Sequence, residues 1–439
     1  MTSHSAPSAT RPDEALAAMA AAAGLSRIHM LAWRDLDDPE AGGSEVHAGE
    51  IARRWAAAGI NVTMRASRAE GQPTFSARDG YQVVRKAGRY AVFPRSALSG
   101  ALRRDGHYDG LVEIWNGMPF LSPLWAHVPR VVFLHHVHAE MWRMVLKPEA
   151  LARIGETIEY RLAPPFYRRS RIITLSDSSR DEIIELLRLP PANVSVVNPG
   201  IDERFRPAAE EPPVAASTAA AEPSRPSTRR AGSDPLECER RERRPLVVAV
   251  GRLVPVKRFD LLIEALVNLK HSHPALEAVI VGEGYERPTL EALVRHHHAE
   301  SWLTLPGRID DAALVSLYQR AWVVTSSSAR EGWGMTLTEA AACGTPAVVT
   351  RIAGHMESVA EGTGGLLADT PSDLAPLLDK VLSDPELRRQ LRVGALAHAA
   401  RFTWDAASAE TLGLLAEEAE RRRASPLAWS AGRFRRSAR

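Results

Sequence analysis

Short runs of apolar residues alternate with amphipathic helical patterns along most of the chain. Apolar runs without polar alternation predict strands buried on both faces, and helices between such strands predict parallel pairing. The first half contains seven such runs, at residues 27–33, 60–67, 81–87, 109–115, 130–136, 171–176 and 194–200. The second half contains six, at residues 245–252, 276–282, 302–307, 321–326, 347–350 and 364–369. The pattern therefore predicts an α/β fold whose sheets are parallel and covered on both faces.

A stretch of different composition, residues 207–244, interrupts this alternation. It is rich in proline, alanine, serine and charged residues, so it cannot bury enough apolar surface to offset its ordering entropy. We therefore predict two doubly wound, Rossmann-like domains with a cleft between them. The predicted divisions are a disordered or helical N-terminal tail (1–26), a first domain (27–206), a disordered linker insertion (207–244), a second domain (245–402), a helix crossing back to the first domain (403–421) and a basic tail (422–439).

Composition narrows the class of protein. Apolar residues make up 45% and charged residues 25% of the chain, which is typical of globular proteins, and a net charge of +2 gives no sign of nucleic-acid binding. The two cysteines, Cys238 and Cys343, define neither a disulfide framework nor a metal cluster, so a reducing compartment is expected. No run approaches the roughly 18–20 apolar residues that span a bilayer. These features predict a cytoplasmic protein.

The most informative stretch is TSSSAREGWGMTLTEAAACGTPAVVT, residues 325–350. It leads from an apolar strand, through a loop containing Gly332 and Gly334, into a helix. Free backbone N–H groups and the helix dipole meet at such a point, which makes it an anion site. Glu331 and Glu339 bracket that point, and carboxylates repel an anion. We therefore expect these two side chains to accept hydrogen bonds from sugar hydroxyls.

Two further loops of the second domain follow predicted strands. GRLVPVK, residues 251–257, offers Arg252 and Lys257 across a short turn, a pair suited to a diphosphate, although both could also be solvated surface cations. VGEGYERP, residues 281–288, permits close backbone approach at a cleft rim, or simply a tight turn. Neither loop has the dinucleotide or P-loop spacing of glycines.

In the first domain, Gly42 and Gly43 precede a predicted helix. They form either a second anion site or a plain loop, with Ser44 as the N-cap and Glu45 in the first turn. Trp115 and Asn116 end another strand, where they either line an acceptor pocket or pack in the core.

Three histidines, His135, His136 and His138, lie at the end of one predicted strand. Such a cluster raises the alternative of a zinc site. Against it, the H-E-x-x-H spacing is missing, and adjacent residues of a continuing strand point to opposite sides. A single polar histidine in the cleft is the favoured interpretation.

Taken together, these residues resemble the retaining nucleotide-sugar glycosyltransferases of glycosyltransferase family 4, which have the GT-B fold. The most specific element is the pair Glu331 and Glu339, separated by seven residues. GRLVPVK, the PGR of residues 306–308, the NPGID of residues 198–202, the Gly42/Gly43 pair and His135 add to it. The resemblance spans about residues 27–421 apart from the linker insertion; Trp333, where phenylalanine is commoner, and the long insertion are mild departures.

The resemblance implies a role for each matching residue. The implied catalytic set is His135 near the anomeric centre, Glu331 on donor-sugar hydroxyls, and Arg252 and Lys257 on the donor diphosphate. The implied donor-binding set is Gly43 at the phosphates, backbone N–H groups at Gly334, Met335 and Thr336, Arg308 and Ile309 beside the base, and Glu339 on the ribose. Expected on the acceptor side are Glu45, Trp115, Asn116, His136 and His138. The resemblance implies no metal, because Arg252 and Lys257 would do what a divalent cation does in other transferases. It implies no bound cofactor either, with a UDP- or GDP-hexose as the co-substrate.

The acceptor stays open between a glycan, a lipid-linked molecule and a small molecule. Weak contact with an anionic membrane, at the inner face of the plasma membrane, is one expectation from two basic regions. The first comprises Arg85, Lys86, Arg89, Arg95, Arg103 and Arg104 around a predicted amphipathic helix, and the second is the tail from Arg421. A solvated tail is the alternative interpretation.

Two other functions fit a similar cleft. A GT-B sugar phosphorylase or a nucleotide-sugar epimerase would share the fold, although no segment shows a pyridoxal phosphate lysine. A non-catalytic sugar-nucleotide-binding protein would not need Arg252, Lys257, Glu331 and Glu339 together.

Overall fold

A computed structural model of the protein describes residues 11–138, 142–143, 149–208 and 244–424. Within these ranges the chain forms two α/β domains, each built on one sheet, and the predicted fold class is confirmed. Most of the predicted linker insertion, and the basic tail beyond residue 424, lie outside the described residues.

The first domain contains an eight-stranded sheet in the order β3-β4-β2-β1-β5-β6-β7-β8. All neighbours in it are parallel except β3 and β4, which are antiparallel. The strands are β1 (Arg27–Leu31), β2 (Asn61–Ser67), β3 (Phe75–Arg78), β4 (Tyr81–Ala87), β5 (Gly110–Ile114), β6 (Arg130–Phe133), β7 (Arg171–Thr174) and β8 (Val194–Val196).

Strand β3 is absent from the predicted pattern because it is short, half exposed and confined to the sheet edge. It turns into β4 through Asp79 and Gly80, which both have positive φ, 46° and 86°. Positive φ at both central residues is what a two-residue type I′ hairpin requires, and Asp-Gly is a strong signal for it. The local sequence therefore did contain the information that predicts this hairpin.

Helices cover both faces of this sheet. They are α1 (Pro12–Ala23), α2 (Gly43–Ala57), α3 (Val92–Ala101), α4 (Ser122–Trp125), α5 (Glu149–Thr157), α6 (Pro164–Tyr167) and α7 (Asp177–Leu187). A π-helical turn (Ile158–Leu162) continues α5, and a 3₁₀ turn (Pro191–Asn193) precedes β8.

The second domain contains a six-stranded, fully parallel sheet in the order β11-β10-β9-β12-β13-β14. Its strands are β9 (Leu246–Val250), β10 (Glu277–Val281), β11 (Leu303–Gly307), β12 (Val323–Ser326), β13 (Ala347–Thr350) and β14 (Gly365–Ala368). Its helices are α8 (Phe259–Ser272), α9 (Arg287–His296), α10 (Asp311–Arg320), α11 (Met335–Ala342), α12 (His355–Ser358), α13 (Leu374–Ser383) and α14 (Pro385–Ala399). Short 3₁₀ turns lie at Pro255–Lys257 and Pro371–Asp373.

Each sheet has one point at which the strand order reverses direction. It lies between β1 and β5 in the first domain and between β9 and β12 in the second. In doubly wound sheets, ligands bind outside the carboxyl ends of the strands at this point. A ligand-binding site is therefore expected at the loops after β1, β5, β9 and β12.

The C-terminal helix α15 (Trp404–Ala424) returns to the first domain, as predicted. Its Ser408 carbonyl accepts a hydrogen bond of 3.1 Å from the Trp55 ring nitrogen of α2. Helix α1 packs against α15, with Leu16 and Ala20 buried in the same core. Residues 1–26 were predicted to be a disordered or helical tail. The helical alternative describes Pro12–Ala23, and this helix is packed, because its alanine-rich face is covered by α15.

Gly413 lies in the middle of α15 and tests this packing. The nearest atom to an added Cβ there is the Met19 sulfur, at 3.9 Å, so alanine fits without a clash. We expect Gly413→Ala to raise the free energy of unfolding by about 0.5–1 kcal/mol, because alanine loses less backbone entropy in a helix. The contrasting variant is Gly100→Ala in α3, whose Cβ would lie 2.1 Å from the Trp125 ring and should lower the thermal midpoint. A lower midpoint for Gly413→Ala would contradict the packing described for α1 and α15.

The predicted basic surface around α3 is only partly exposed. Arg85 is fully buried and forms ion pairs with Asp35 and Asp37, so its assignment to a membrane-facing cluster was wrong. Arg89 pairs with Asp38 and Glu40. The remaining members are exposed, namely Lys86, Arg95, Arg103 and Arg104. None of the helices in the described part of the chain is long and apolar enough to span a bilayer.

Candidate active site

Two loops of the second domain meet at its switch point. The loop after β9 carries Arg252 and, within its 3₁₀ turn, Lys257; the loop after β12 carries Glu331. Lys257 forms an ion pair with Glu331, and the Ser328 hydroxyl donates a 2.9 Å hydrogen bond to the same carboxylate. Lys257, the cation predicted to bind a diphosphate, and Glu331, the carboxylate predicted to bind sugar hydroxyls, are therefore direct partners.

The ionisation of this pair follows from its surroundings. Burial alone would raise the pKa of Glu331, but the Lys257 ammonium and the nearby His355 outweigh it, and the pKa of this carboxyl is lowered. Burial, followed by the Arg34 guanidinium, lowers the pKa of Arg252, while three carboxylates around it act in the opposite direction. Glu331 is therefore an anionic hydrogen-bond acceptor at neutral pH, beside two cations.

Helix α11 begins directly after this loop. Gly334 precedes it with φ +104°, a conformation that favours glycine, and the helix starts at Met335. The first N–H groups of a helix, here those of Met335 and Thr336, have no partner within the helix and carry the positive end of its dipole. An anion-binding helix end therefore lies next to Arg252, Lys257 and Glu331.

The loop after β1 forms the opposite wall. A Cβ on Gly42 would lie 3.3 Å from the Arg252 side chain, and one on Gly43 would lie 3.3 Å from the Met335 sulfur. These glycines therefore let the first domain approach the second closely. The same loop is capped by Glu45, whose carboxylate accepts 2.8 Å and 3.3 Å hydrogen bonds from Gly42 N–H and Arg34.

Two of the predicted acceptor-side residues have structural roles. Glu45 is buried and its carboxylate is occupied by the loop, so it does not face an acceptor. Trp115 is fully buried, donates to the Gly117 carbonyl at 2.9 Å and packs on the Tyr167 ring. The acceptor-pocket interpretation of Trp115 was wrong. Asn116 is partly buried, and its amide nitrogen lies 3.4 Å from the Ser44 hydroxyl at the start of α2.

Strand β6 ends at Phe133, so the three histidines lie in the following loop. Burial lowers the pKa of His135 to about 4, which leaves the ring neutral at neutral pH, and its Nε2 lies 3.2 Å from Nδ1 of His47. His136 faces Gly332 of the second domain and stacks on His138 at 5.0 Å. Among the residues that the structure describes, no group of three or more histidine, cysteine, aspartate or glutamate side chains could hold a metal ion.

Glu339 lies one turn further along α11, partly buried, near Tyr318, Asp202 and Arg204. Burial is the main cause that raises the pKa of Glu339 to about 8, and the Asp202 carboxylate adds to it. Arg308 is exposed at the other end of the cleft and lies 3.5 Å from the Pro39 carbonyl of the first domain.

Polar contacts between the domains hold the cleft closed. The hydroxyls of Ser176 and Ser179 donate to the Gly332 carbonyl at 3.2 and 3.3 Å. Arg330 donates to the Val137 carbonyl at 2.6 Å, and the Ser178 hydroxyl donates to Glu357 at 2.7 Å. The two walls of the site are thus brought together around residues 330–335.

Comparison with known proteins shows the family of the chain. Residues 41–205 match the family described as Glycosyltransferase Family 4, and residues 237–396 match Glycosyl transferases group 1. A D-inositol 3-phosphate glycosyltransferase of Thermobispora bispora is 30% identical over 428 residues, covering 88% of this chain and 93% of its own. The chain belongs to glycosyltransferase family 4.

Solved structures show the same GT-B fold for this family 4 glycosyltransferase. Sucrose-phosphate synthase from Thermosynechococcus elongatus superposes with a TM-score of 0.69 at 19% identity, covering 88% of this chain and 97% of its own. The Anabaena protein Alr3699/HepE in complex with UDP-glucose gives 0.62 at 18% identity, with 88% and 98% covered.

Several residues of the candidate site were missed by the sequence patterns. His47 contacts His135, Ser328 contacts Glu331, and Arg330 joins the domains. His355 is buried beside Glu331, and its Nδ1 lies 2.8 Å from the Thr350 carbonyl at the end of β13. His355 follows a predicted strand end, so the rule that singled out His135 applies to it as well.

The raised pKa of Glu339 makes the stability of this glycosyltransferase depend on pH. Because its folded pKa is about 8, the folded state keeps the proton over a range in which the unfolded chain, with a value near 4.5, has lost it. The stability that this group contributes is fully present below the unfolded value and is lost as the pH rises through about 8.

Glu339→Gln keeps a neutral side chain at every pH. We therefore expect the thermal midpoint of this variant to rise relative to that of the wild-type protein as the pH increases from about 5 to about 9. Glu420→Gln, at an exposed position of α15, is the matched control and should follow the wild-type profile. Parallel pH profiles for Glu339→Gln and the wild-type protein would contradict the raised pKa of this partly buried carboxyl.

Proposed function

We propose that this family 4 enzyme transfers a hexose from a UDP- or GDP-sugar to an acceptor hydroxyl, with retention of anomeric configuration and without a metal ion. One observation carries the proposal. Arg252, Lys257 and the N-terminus of α11 converge on one point, beside Glu331 and opposite the loop of Gly42 and Gly43. Positive charge at such a point fits a diphosphate, and an ionised carboxylate next to it fits sugar hydroxyls.

The charge that develops during the reaction is on the leaving diphosphate. As the bond from the anomeric carbon to the phosphate oxygen breaks, Arg252, Lys257 and the dipole of α11 stabilise that charge. Because Lys257 is paired with Glu331 in the structure, the donor binds a preformed pair: the diphosphate takes the ammonium and the sugar hydroxyls take the carboxylate.

Retention follows if the acceptor approaches on the face that the diphosphate leaves. The acceptor oxygen then forms the new bond to the anomeric carbon, and its proton passes to the departing phosphate oxygen. Glu331 is held by Lys257 and Ser328, and His135 is neutral and hydrogen-bonded to His47, so neither is needed as a nucleophile. His135 instead offers a polar contact to the donor sugar.

The remaining donor contacts extend along α11 and the loop after β11. Glu339 would accept hydrogen bonds from the ribose hydroxyls, and Arg308 and Ile309 would lie beside the base. The Anabaena neighbour binds UDP-glucose, and the curated relatives include D-inositol 3-phosphate glycosyltransferases. These likenesses support a nucleotide-sugar donor and add a phosphorylated polyol to the glycan and lipid-linked molecules as acceptor classes.

Product analysis tests the proposal. The enzyme is incubated with UDP-glucose, UDP-N-acetylglucosamine or GDP-mannose and a panel of polyol, polyol phosphate and glycan acceptors, in the presence of a chelator. We expect nucleoside diphosphate release that depends on the acceptor, and a product whose anomeric proton shows the configuration of the donor by NMR. A product of inverted configuration, or activity that the chelator removes and Mg²⁺ restores, would overturn it. Phosphate-dependent release of free sugar phosphate would favour a phosphorylase.

A further inference from the structure

A fully buried arginine is hydrogen-bonded to the loop after β1. The guanidinium of Arg85, in β4, donates to both carboxylate oxygens of Asp35 at 2.6 and 2.7 Å and to Asp37 at 2.5 Å. It also donates to the Pro73 carbonyl at 3.2 Å and to the Ser76 hydroxyl at 3.1 Å. These five hydrogen bonds use all the N–H groups of the guanidinium. The planar, two-point pairing with Asp35 fixes direction as well as distance.

Stability alone does not explain why these charges are buried. Removing an arginine and a carboxylate from water costs free energy, and apolar residues of similar volume often stabilise a fold as well or better. Such residues would fill the space without hydrogen bonds, so they would not fix the main chain at Asp35. The pair of Arg85 and Asp35, in contrast, ties the start of the loop to β4 in one orientation, and both side chains are shielded from solvent.

Two further arginines continue these contacts along the loop. Arg89, just after β4, pairs with Asp38 at 3.0 Å and with Glu40. Arg34 pairs with the same Glu40 at 3.2 Å. The Glu40 side chain is 57% exposed, and ion pairs at exposed sites contribute little to stability. The least exposed of these anchors is therefore the ion pair that Arg85 forms at the start of the loop.

The same loop forms the first-domain wall of the cleft. Its Pro39 carbonyl lies 3.5 Å from the Arg308 guanidinium, and a Cβ on Gly42 would lie 3.3 Å from the Arg252 side chain. In the proposed function, Arg308 lies beside the base of the donor and Arg252 binds its diphosphate. A displacement of this loop would therefore open the cleft along the bound donor.

We propose that Arg85 is a positioning residue for glycosyl transfer, an inference that rests on the proposed function. Arg85 is buried, so it acts through the loop after β1. By holding Asp35 and Asp37, it sets where this loop lies against Arg252 and Arg308 of the second domain. Because misplacement of about 1 Å can cost about 100-fold in rate, a loop that is folded but no longer held at Asp35 slows the transfer.

Two test variants separate position from stability. Arg85→Met leaves Asp35 buried without its main partner, whereas Arg85→Met/Asp35→Leu replaces the whole pair by apolar side chains. The matched control is Arg65→Met/Asp105→Leu, which replaces a second buried ion pair of the same domain, with 2.5 Å between the Arg65 and Asp105 side chains. Asp105 also accepts a 2.6 Å hydrogen bond from the Ser99 hydroxyl, so this second pair joins β2 to α3 instead of holding the loop after β1.

We expect Arg85→Met to have a lower thermal midpoint than the wild-type protein, and Arg85→Met/Asp35→Leu to regain at least part of the difference. The double variant should still have a kcat for nucleoside diphosphate release at least about tenfold below the wild-type value, measured well below its midpoint. Binding of UDP or GDP should be retained, because Arg252 and Lys257 belong to the second domain. The control should keep the wild-type kcat.

Wild-type kcat in Arg85→Met/Asp35→Leu would overturn the proposal, and so would an equal loss of kcat in the control. If the double variant does not fold, Arg85→Lys decides, because it keeps the charge but replaces the planar guanidinium by a single ammonium group. A lower kcat of Arg85→Lys at a thermal midpoint near that of the wild-type protein would support the positioning role. Wild-type kcat in this variant would overturn it.

The activity of the wild-type protein separates this inference from the proposed function. If the wild-type protein releases no nucleoside diphosphate with any donor and acceptor, the proposed function is contradicted, and the positioning role with it. If it transfers the sugar and Arg85→Met/Asp35→Leu does so equally well, only the positioning role of Arg85 is contradicted.

Discussion

Lys257→Ala is expected to lower kcat by about 10²–10³-fold, the effect of removing one preorganised group that stabilises charge in a transition state. The Lys257 ammonium touches Glu331 and lies beside the N-terminus of α11, where the leaving diphosphate is proposed to bind. Its removal also leaves the partly buried Glu331 without its main partner, and desolvation then raises the pKa of that carboxyl. The variant therefore loses both a cation for the diphosphate and an ionised acceptor for the sugar.

The matched control is Arg258→Ala, one residue further along the same loop. Arg258 pairs with Asp260 at the start of α8 and does not contact Glu331. Steady-state rates of nucleoside diphosphate release should therefore stay near the wild-type value for Arg258→Ala. If Lys257→Ala had the same kcat as this control, the proposed role of Lys257 in the transfer would be contradicted.

Gly332→Val is the second change with a large expected effect. Even a Cβ at Gly332 would lie 2.4 Å from the His135 carbonyl, a backbone atom of the opposite domain that cannot rotate away. The closed contacts of Ser176 and Ser179 with the Gly332 carbonyl would be lost as well. Because misplacement of about 1 Å can cost about 100-fold in rate, we expect at least that loss in kcat.

Nucleotide binding distinguishes this effect from simple unfolding. Arg252, Lys257 and Glu339 belong to the second domain, so Gly332→Val should still bind UDP or GDP while transfer is lost. The Gly413→Ala variant, in which an added methyl group makes only ordinary van der Waals contact with the Met19 sulfur, serves as the glycine control and should keep full activity. Wild-type kcat in Gly332→Val would show that closure at this contact is not required.

The strand pattern of the sequence was sufficient to predict the two sheets, because apolar runs of the two parallel sheets are buried on both faces. It did not predict β3, a half-exposed edge strand. It also did not predict the packing of α1, because the covering helix lies about 400 residues away in the chain, where Arg423 contacts the Ala23 carbonyl. Burial of an alanine-rich helix depends on a partner that local pattern does not reveal.

More residues of the proposed donor site than of the proposed acceptor side could be predicted from the sequence. Arg252, Lys257, Glu331 and α11 each follow a strand of the second domain, and parallel strands bring their carboxyl ends together. Pairwise contacts were not predictable from local sequence. For example, the contact of His47 with His135 joins residues about 90 positions apart. Trp115 and Asn116 are neighbours in the chain, but the Trp115 side chain enters the core and the partly buried Asn116 side chain contacts Ser44 at the start of α2.

The basic residues around α3 show the same limit. The sequence suggested a single membrane-facing cluster, but the fold separates its members, because Arg85 and Arg89 are neutralised by carboxylates of the loop after β1.

The most direct test of the proposed donor site is the affinity for a nucleoside diphosphate compared with the monophosphate of the same base. Wild-type protein and Arg252→Gln/Lys257→Gln are titrated with UDP and UMP, or with GDP and GMP, by calorimetry. We predict that the double variant binds the diphosphate about 100-fold or more weakly, while the smaller affinity for the monophosphate changes much less. Equal diphosphate affinity in the wild-type protein and the double variant would contradict the proposed diphosphate site.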